Sequence, residues 1–403
     1  MIHTFSVSNY YSVREEVVLD LRILGTAPAL PRFRRSTAKP DIRLPSVVVF
    51  MGPNGSGKTT LLDALLAISR IASSASPAEE TSPLTFLPFS STETRDKPTR
   101  FCVEIEADWL APDQARHLFR YEVAVRRGDA GVKDTFFQRE VLSYFPKGRP
   151  RRLFERGAPG EPIYVSSELG LTPKDDRLKA IREDASVIAT LALLNVPLAA
   201  RIAEWMRAFS YFSNILHREK WQLPTQTMVE AFDESAPEVR DWLVRHIQAS
   251  DLGIQDMRIL EQADKKEVFF DHRGIDRPIP LPFESNGTKR LFHLLPQLYL
   301  ALNDGIPAVL DEVDGDLHVD IAGEMLDWFR SQETNSSGAQ LFVSSHNVGL
   351  LDDLEKEEVF IVEKDRDGAT RVYSAQDVRG LRRDARLYPK YRAGVLGGIP
   401  KIG

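Results

Sequence analysis

Eight residues constrain this chain more than any other feature: Gly52-Pro53-Asn54-Gly55-Ser56-Gly57-Lys58-Thr59 matches the phosphate-loop pattern G-x-x-x-x-G-K-[ST]. The loop follows Val47-Val48-Val49-Phe50-Met51, a continuous apolar run suited to a strand buried on both faces. It opens into Thr60 to Ile71, a run with helical spacing. Strand, glycine loop and helix in this order predict an α/β fold with the loop at the carboxyl edge of a parallel sheet. Glycines at 52, 55 and 57 let backbone N–H groups converge on a polyphosphate, and the helix N-terminus adds partial positive charge. The candidate phosphate site is therefore Gly52, Pro53, Asn54, Gly55, Ser56, Gly57, Lys58, Thr59 and Thr60. Lys58 is placed to reach the β/γ-phosphates and the Thr59 hydroxyl to ligate Mg²⁺. The competing reading, a glycine-rich turn without a ligand, leaves the Lys-Thr pair unexplained.

Three further segments end in polar residues where such a sheet would present them. Ile306-Pro307-Ala308-Val309-Leu310 runs into Asp311-Glu312, a strand delivering two carboxylates to the loop's edge of the sheet. Asp311 is expected to hold Mg²⁺ through water, and Glu312 to orient or deprotonate an attacking water. A solvated acidic turn is the alternative, since Asp314, Asp316 and Asp320 follow closely. Leu341-Phe342-Val343-Ser344-Ser345-His346 is a second such strand, and His346 there could hydrogen-bond a γ-phosphate. Ser345-His346 is not a hydrolase pair, because strand neighbours point to opposite faces. Upstream, Glu284-Ser285-Asn286-Gly287-Thr288 precedes an apolar helix, either a second anion site or a plain N-cap. Pro296 is expected to kink or end that helix.

Composition fits this picture and removes others. At 403 residues with 42% hydrophobic and 27% charged side chains, the chain is an ordinary globular one, sized for one large domain with insertions or two to three units. The net charge of −6 excludes a general polycation, so any nucleic-acid contact must be local. The single cysteine, Cys102, cannot form an intramolecular disulfide and points to a reducing, cytoplasmic location. No secretory signal is read at the start, and the apolar run Val187 to Ala200, broken by Asn195 and Pro197, reads as a core helix rather than a membrane span.

Along the chain, Ile2 to Leu21 reads as two strands around Asn9-Tyr10-Tyr11-Ser12 at an antiparallel edge. Residues 24–46, with four prolines and Arg32, Arg34 and Arg35, read as an exposed loop. Phe101 to Val141 reads as a β subdomain, and about 173–250 as helical, with Leu178, Ile181, Ile188, Leu191, Ile202, Trp205, Phe209, Trp242 and Ile247 facing inward. The expected division is an N-terminal lobe at 1–144, a mainly helical insertion at 145–255 and a C-terminal lobe at 256–403. No sustained heptad predicts a coiled-coil arm.

Taken together, the loop, the Ser285 segment, the Asp311-Glu312 strand and the His346 strand resemble the ABC-type ATPase head, the class that includes SMC proteins, repair ATPases and the overcoming-lysogenization-defect family. Within it, Asn9-Tyr10-Tyr11-Ser12, Lys97-Pro98-Thr99-Arg100-Phe101, Glu284 to Phe292, Asp311 to His318, Ser345-His346-Asn347 and the ending Tyr391 to Ile402 resemble the RloA-like ATPases of bacterial anti-phage and abortive-infection systems. The sequence departs from the wider class at Tyr11, where related heads often carry an Arg that would contact nucleotide, and at Ser285-Asn286-Gly287 in place of Ser-Gly-Gly. It shows no glutamine for the Q-loop, whose equivalent would be Leu84 to Ser91.

The resemblance implies a head-to-tail homodimer clasping two ATP molecules with Mg²⁺. Lys58 and Thr59 of one copy and Ser285, Asn286 and Gly287 of the other would hold each nucleotide, with Glu312, His346 and Lys58 catalytic. Chains of the overcoming-lysogenization-defect family continue into a TOPRIM nuclease. Here 57 residues follow His346, too few for that domain, so an effector such as a TOPRIM-type or other nuclease is expected on a separate polypeptide. Glu363-Lys364-Asp365-Arg366-Asp367 reads as a strand end rather than a metal site. Two basic clusters, Lys147 to Arg152 and Arg379 to Lys401, keep nucleic acid open as a partner. They also leave an SMC-like DNA-repair ATPase as the alternative to a defence switch.

Overall fold

The computed structural model describes residues 1–23, 25–73, 87–110, 116–128, 131–146, 148–211, 213–214, 229, 237–250, 253–262, 265–315 and 317–399. Two sheets organise them. The first is α/β: strands Ser213–Asn214, Ala308–Leu310, Leu341–Ser345, Val47–Met51 and Val359–Lys364 lie side by side in parallel, and Thr370–Ser374 closes the edge antiparallel to Val359–Lys364. All five residues of Val47–Met51 are buried, because a central strand of a parallel sheet is covered on both faces.

The loop strand is thus flanked by the histidine strand Leu341–Ser345 on one side and the hairpin strand Val359–Lys364 on the other. The acid strand Ala308–Leu310 lies one place beyond the histidine strand. Parallel alignment brings the carboxyl ends of all four to one edge. The loop helix Lys58–Ser73 then runs back across the sheet, with Leu61, Leu62, Leu65, Ile68 and Ile71 among its buried residues.

The second sheet is antiparallel and seven-stranded, in the order Tyr164–Val165, Arg151–Arg156, Gly131–Tyr144, His117–Gly128, Thr99–Ala107, Ile2–Ser8, Val17–Asp20. Val17–Asp20 is the edge strand expected for the start of the chain. The sheet runs past the expected division at 144, taking in Arg151–Arg156 and Tyr164–Val165 before the helices begin. Its inner face joins the parallel sheet and the loop helix in one continuous core.

Three local expectations change. Residues 24–46 are not simply a loop: Phe33–Arg35 pairs with Arg43–Pro45, Leu44 is fully buried, and Ser36 and Thr37 bond the Glu106 carboxylate. The apolar run at 187–200 is two helices, Val187–Leu193 and the start of Pro197–Tyr211, bent by 115°. Asn195 takes the left-handed conformation at φ 57° between them, as a helix C-terminus requires. Finally, the signature helix Asn286–Asp304 continues through Pro296 for its full 19 residues. Of the expected inward residues, Ile188, Leu191, Ile202, Phe209 and Ile247 are buried, with Leu178, Ile181, Trp205 and Trp242 packed partly against the core. Leu178 and Ile181 lie in and after the short 3-10 turn Asp176–Ala180, since the first α-helix of that stretch begins only at Val187. Among the described residues, no single helix is long and apolar enough to cross a membrane.

Candidate nucleotide site

The phosphate loop closes by leaning on the hairpin beside it. A Cβ on Gly52 would stand 2.0 Å from the Val362 carbonyl oxygen, and one on Gly57, at φ +111°, 2.2 Å from Thr370 Oγ1. Only glycine tolerates either contact, so the loop's glycines serve packing against Val359–Ser374 as well as the approach of a ligand.

A cleft of about 660 Å³ opens above the loop, lined by Ser12, Asn54 to Thr60, Glu312, His346 and Lys364. Lys58 is buried, and its Nζ donates to the carbonyls of Gly52 at 2.8 Å and Pro53 at 3.2 Å. Burial holds its pKa below the usual lysine value, partly offset by Asp311, Glu312 and Asp314. An anion in the cleft would supply the compensation that the pocket walls do not complete.

The acidic pair divides into two environments. Asp311 is only 2% exposed, which rules out a solvated acidic turn. Its carboxylate accepts from Ser344 Oγ at 2.5 Å and from Thr59 Oγ1 at 2.9 Å. Burial raises its pKa despite those bonds, so a cation beside it would relieve an uncompensated charge. A carboxylate touching a hydroxyl at the loop's mouth is an oxygen donor set of the kind Mg²⁺ takes, and Thr59 and Asp311 fit that role.

Glu312 points the other way, with its side chain 37% exposed in the cleft. Its backbone sits at φ +50°, a left-handed conformation uncommon for a residue with this side chain. The surroundings fix it there: the Glu312 N–H donates to Ser344 Oγ at 2.7 Å and the Val313 N–H to the Ser344 carbonyl at 3.0 Å. His346 stands between the two charges, with Nε2 3.7 Å from Glu312 Oε1 and Nδ1 3.5 Å from Lys58 Nζ. Asp314 accepts from the His346 backbone N–H at 3.3 Å.

Ser285, Asn286 and Gly287 do not line this cleft. Ser285 caps its own helix, its Oγ accepting from the Thr288 N–H at 3.1 Å, and Ser285 and Asn286 face solvent. Just before them, Glu284 is buried and bonded to His272 at 2.6 Å.

The profile of a protein family described as "AAA domain, putative AbiEii toxin, Type IV TA system" matches residues 47–352, more than half of the chain. The chain belongs to this AAA family. The match takes in the loop, the signature segment, the acid strand and His346. No curated protein matches the chain significantly. Among solved structures the AAA chain is similar to an Smc head bound to the C-winged helix domain of ScpA, at 15% identity over 93% of this chain and 97% of that one, TM-score 0.47. It is also similar to the Pyrococcus furiosus Smc head with an extended coiled coil bound to the C-terminal domain of ScpA, at 16% identity, 97% and 98% coverage and TM-score 0.46. The Thermotoga maritima SMC head gives 16%, 93% and 98%, and 0.43.

Several residues around the AAA site gave no sequence signal. Ser344 is a buried strand serine whose pairing with Asp311 depends on the neighbouring strand. Arg290 of the signature helix donates to the Glu312 carbonyl at 2.6 Å and to the Gly315 carbonyl, joining that helix to the acid loop. Ser12 and Lys364 reach the cleft from opposite ends of the chain. Tyr10 and Asn9 prove architectural: the Tyr10 hydroxyl bonds buried Asp63 of the loop helix, and the Asn9 amide donates to the carbonyls of Thr94 and Lys97. Of the expected Q-loop segment, residues 84–86 lie outside the described residues; Leu87 and Phe89 pair with Tyr11 and Asn9.

The acidic cluster near Asp365 is the strand end expected, turning as Asp365 Oδ1 accepts from the N–H groups of Asp367 and Ala369 at 2.9 Å each. The basic clusters are partly neutralised. Arg151 pairs with Glu168, Arg152 with Glu155, and Arg383 with Glu355 and Glu357, whereas Lys147 and Lys401 lie outside the described residues.

Proposed function

We propose that the chain binds and hydrolyses ATP with Mg²⁺ as a head-to-tail homodimer, and that this dimer is the switch or scaffold of a bacterial anti-phage complex controlling a separate effector, such as a nuclease or toxin. The observation that carries the reading is the division of parts: Lys58, Thr59, Glu312 and His346 line one cleft, with Asp311 buried behind it against Thr59, while Ser285 and Asn286 stand exposed and Gly287 half-buried outside its lining. A second copy could bring its signature helix N-terminus to the open side of that cleft, completing the anion site with backbone N–H groups.

In this mechanism the loop amides and Lys58 hold the β- and γ-phosphates, exchanging the ammonium's carbonyl partners for phosphate oxygens. Thr59 and Asp311 would hold Mg²⁺, which when bound neutralises charge on the β- and γ-oxygens. Glu312 accepts a proton from a water aligned with the γ-phosphorus. The new P–O bond forms as the bridging bond to the β-phosphate breaks, leaving ADP and inorganic phosphate. His346, donating toward the γ-oxygens, stabilises the charge that spreads over them. Loss of the γ-phosphate removes the group both copies share, so hydrolysis is read out as a change in dimer geometry.

The defence reading is supported by the family's own description as a toxin–antitoxin type; the ion pairing of Arg151, Arg152 and Arg383 gives the DNA-repair alternative less cationic surface to work with. The test is to prepare Glu312→Gln with Mg²⁺ and ATP, measure its mass by light scattering, and identify what co-purifies from the native host. A doubled mass that depends on ATP and a bound effector polypeptide are expected. A variant that stays monomeric with Mg-ATP, beside an unsubstituted chain that hydrolyses at a rate per chain independent of concentration, would overturn the dimer.

A further inference from the structure

The loop strand has neighbours on both sides, and the chemistry assigned so far uses only one of them. Asp311, Glu312 and His346 all arrive from the histidine and acid strands, which fixes the γ-phosphate on that side of the loop. Adjacent strands stand about 4.8 Å apart, so a triphosphate lying over the loop with its γ end there extends its other end toward the hairpin Val359–Lys364/Thr370–Ser374.

On that far side the cleft is walled by Ser12 and Lys364. Ile361 pairs with Met51 in parallel register, and Lys364 stands as far beyond that pair as Asn54 does on the loop. Lys364 Nζ donates to Thr370 Oγ1 at 3.0 Å. The Thr370 hydroxyl in turn donates to the Ser56 carbonyl at 2.9 Å and lies 2.8 Å from Ser12 Oγ. Thr370 also bonds Ser12 through its backbone, N–H to carbonyl at 2.7 Å, and its side chain is the contact that requires glycine at 57. One threonine thus locks together the first turn of the chain, the phosphate loop and the hairpin, and aims Lys364 along the loop.

An ammonium carries three N–H groups, and among the described residues one is committed, to Thr370. Partial burial holds the Lys364 pKa below the ordinary lysine value, with Asp365 opposing. The cation that the entry turn brings to this corner, Arg14, is paired with Asp367 at 3.2 Å and Asp365 at 3.7 Å and does not line the cleft, whose lysines among the described residues are Lys58 and Lys364. Neither Ser12 nor Lys364 falls within residues 47–352, so the family match assigns them nothing.

We propose that Lys364, steered by Thr370 and flanked by the Ser12 hydroxyl, is a second phosphate-binding lysine that grips the α-phosphate end of the nucleotide opposite Lys58. This rests on the reading of the cleft as an ATP site. Because ATP and ADP share the α-phosphate, the contact acts on both and makes the site retain ADP after hydrolysis.

Calorimetric titration of the full chain with Mg-ATP and Mg-ADP tests the assignment. A charge-assisted hydrogen bond contributes enough that Lys364→Met is expected to weaken both nucleotides by about tenfold. Lys364→Gln keeps a donor for Thr370 without the charge and is expected to lose as much. Lys364→Arg is expected to stay within about threefold of the unsubstituted chain. Restoration by Gln would assign Lys364 to holding Thr370 and overturn the proposal, as would weakening of ATP alone, which would put the lysine at the γ end. Unchanged affinity in both Met and Gln variants while Lys58→Ala abolishes binding would sink the assignment and leave the ATP site standing. If the unsubstituted chain binds neither nucleotide, or Lys58→Ala binds normally, the underlying reading fails instead.

Discussion

The phosphate loop and the signature segment both lead into helix N-termini, and their surroundings differ sharply. At the loop, a lysine, hydroxyls, one carboxylate and a histidine line one cleft, Asp311 lies buried against Thr59, and the hairpin braces the loop through Thr370. At the signature, Ser285 satisfies only its own helix and faces solvent. In the dimer proposed above, the first would be an enzyme site lacking one wall and the second the wall that completes it, with catalytic chemistry within one chain and its control between chains.

That contrast can be broken most forcefully at Glu312. Glu312→Gln is expected to slow ATP turnover by 10²- to 10⁴-fold, the contribution of a positioned general base, with nucleotide affinity retained; a phosphate-release assay beside a binding titration would show both. Next in size, Lys58→Ala is expected to weaken Mg-ATP by about 100-fold, through loss of a charged donor from a desolvated pocket, measured by calorimetry. Ser285→Arg probes the other half: ATP-dependent dimerisation in light scattering should disappear while the single chain's affinity for ATP stays within about twofold. If Ser285→Arg weakened binding in the isolated chain, the two regions would not be separate half-sites.

The smallest effect concerns Asp311. Its pKa is raised in the folded state by burial, so charging it opposes folding: stability is greatest with the carboxyl protonated and falls as pH rises past the ordinary carboxylate range toward the folded pKa. Asp311→Asn keeps the shape, and should stabilise the metal-free chain at neutral pH, where the buried carboxylate is charged. That gain should vanish in acid, and saturating Mg-ATP should stabilise the variant less than the unsubstituted chain. Thermal melts at several pH values check all three.

What the sequence discloses follows from locality. The loop, the acid pair and His346 each sit at the end of a short apolar run, so a strand and its terminal chemistry are read in one window. Ser344 beneath Asp311, Arg290 on the acid-loop carbonyls and Thr370 under Gly57 depend on which strands become neighbours, and nothing within a window encodes that order. The same reason hides the extent of the antiparallel sheet past residue 144, because Arg151–Arg156 is too basic to read as a strand away from its partner. The break at Asn195 was written locally, in Asn195 and Pro197, yet the apolar run outweighed it. Pro296 does not end its helix: the buried apolar face of the signature helix, Leu291 to Leu302, holds it together across one missing N–H.

The left-handed backbone of Glu312 carries a consequence for how such chains change over time. Few residues other than glycine, asparagine and aspartate take φ +50° without strain, a cost within the ~1–3 kcal/mol that such outliers store. Mutational drift therefore runs downhill from glutamate here, toward residues such as glycine and asparagine that fold more easily and cannot take a proton from water. Retention of glutamate against that slope would mark the descendants that still turn over nucleotide, and a glycine or asparagine would mark those that have become silent clamps.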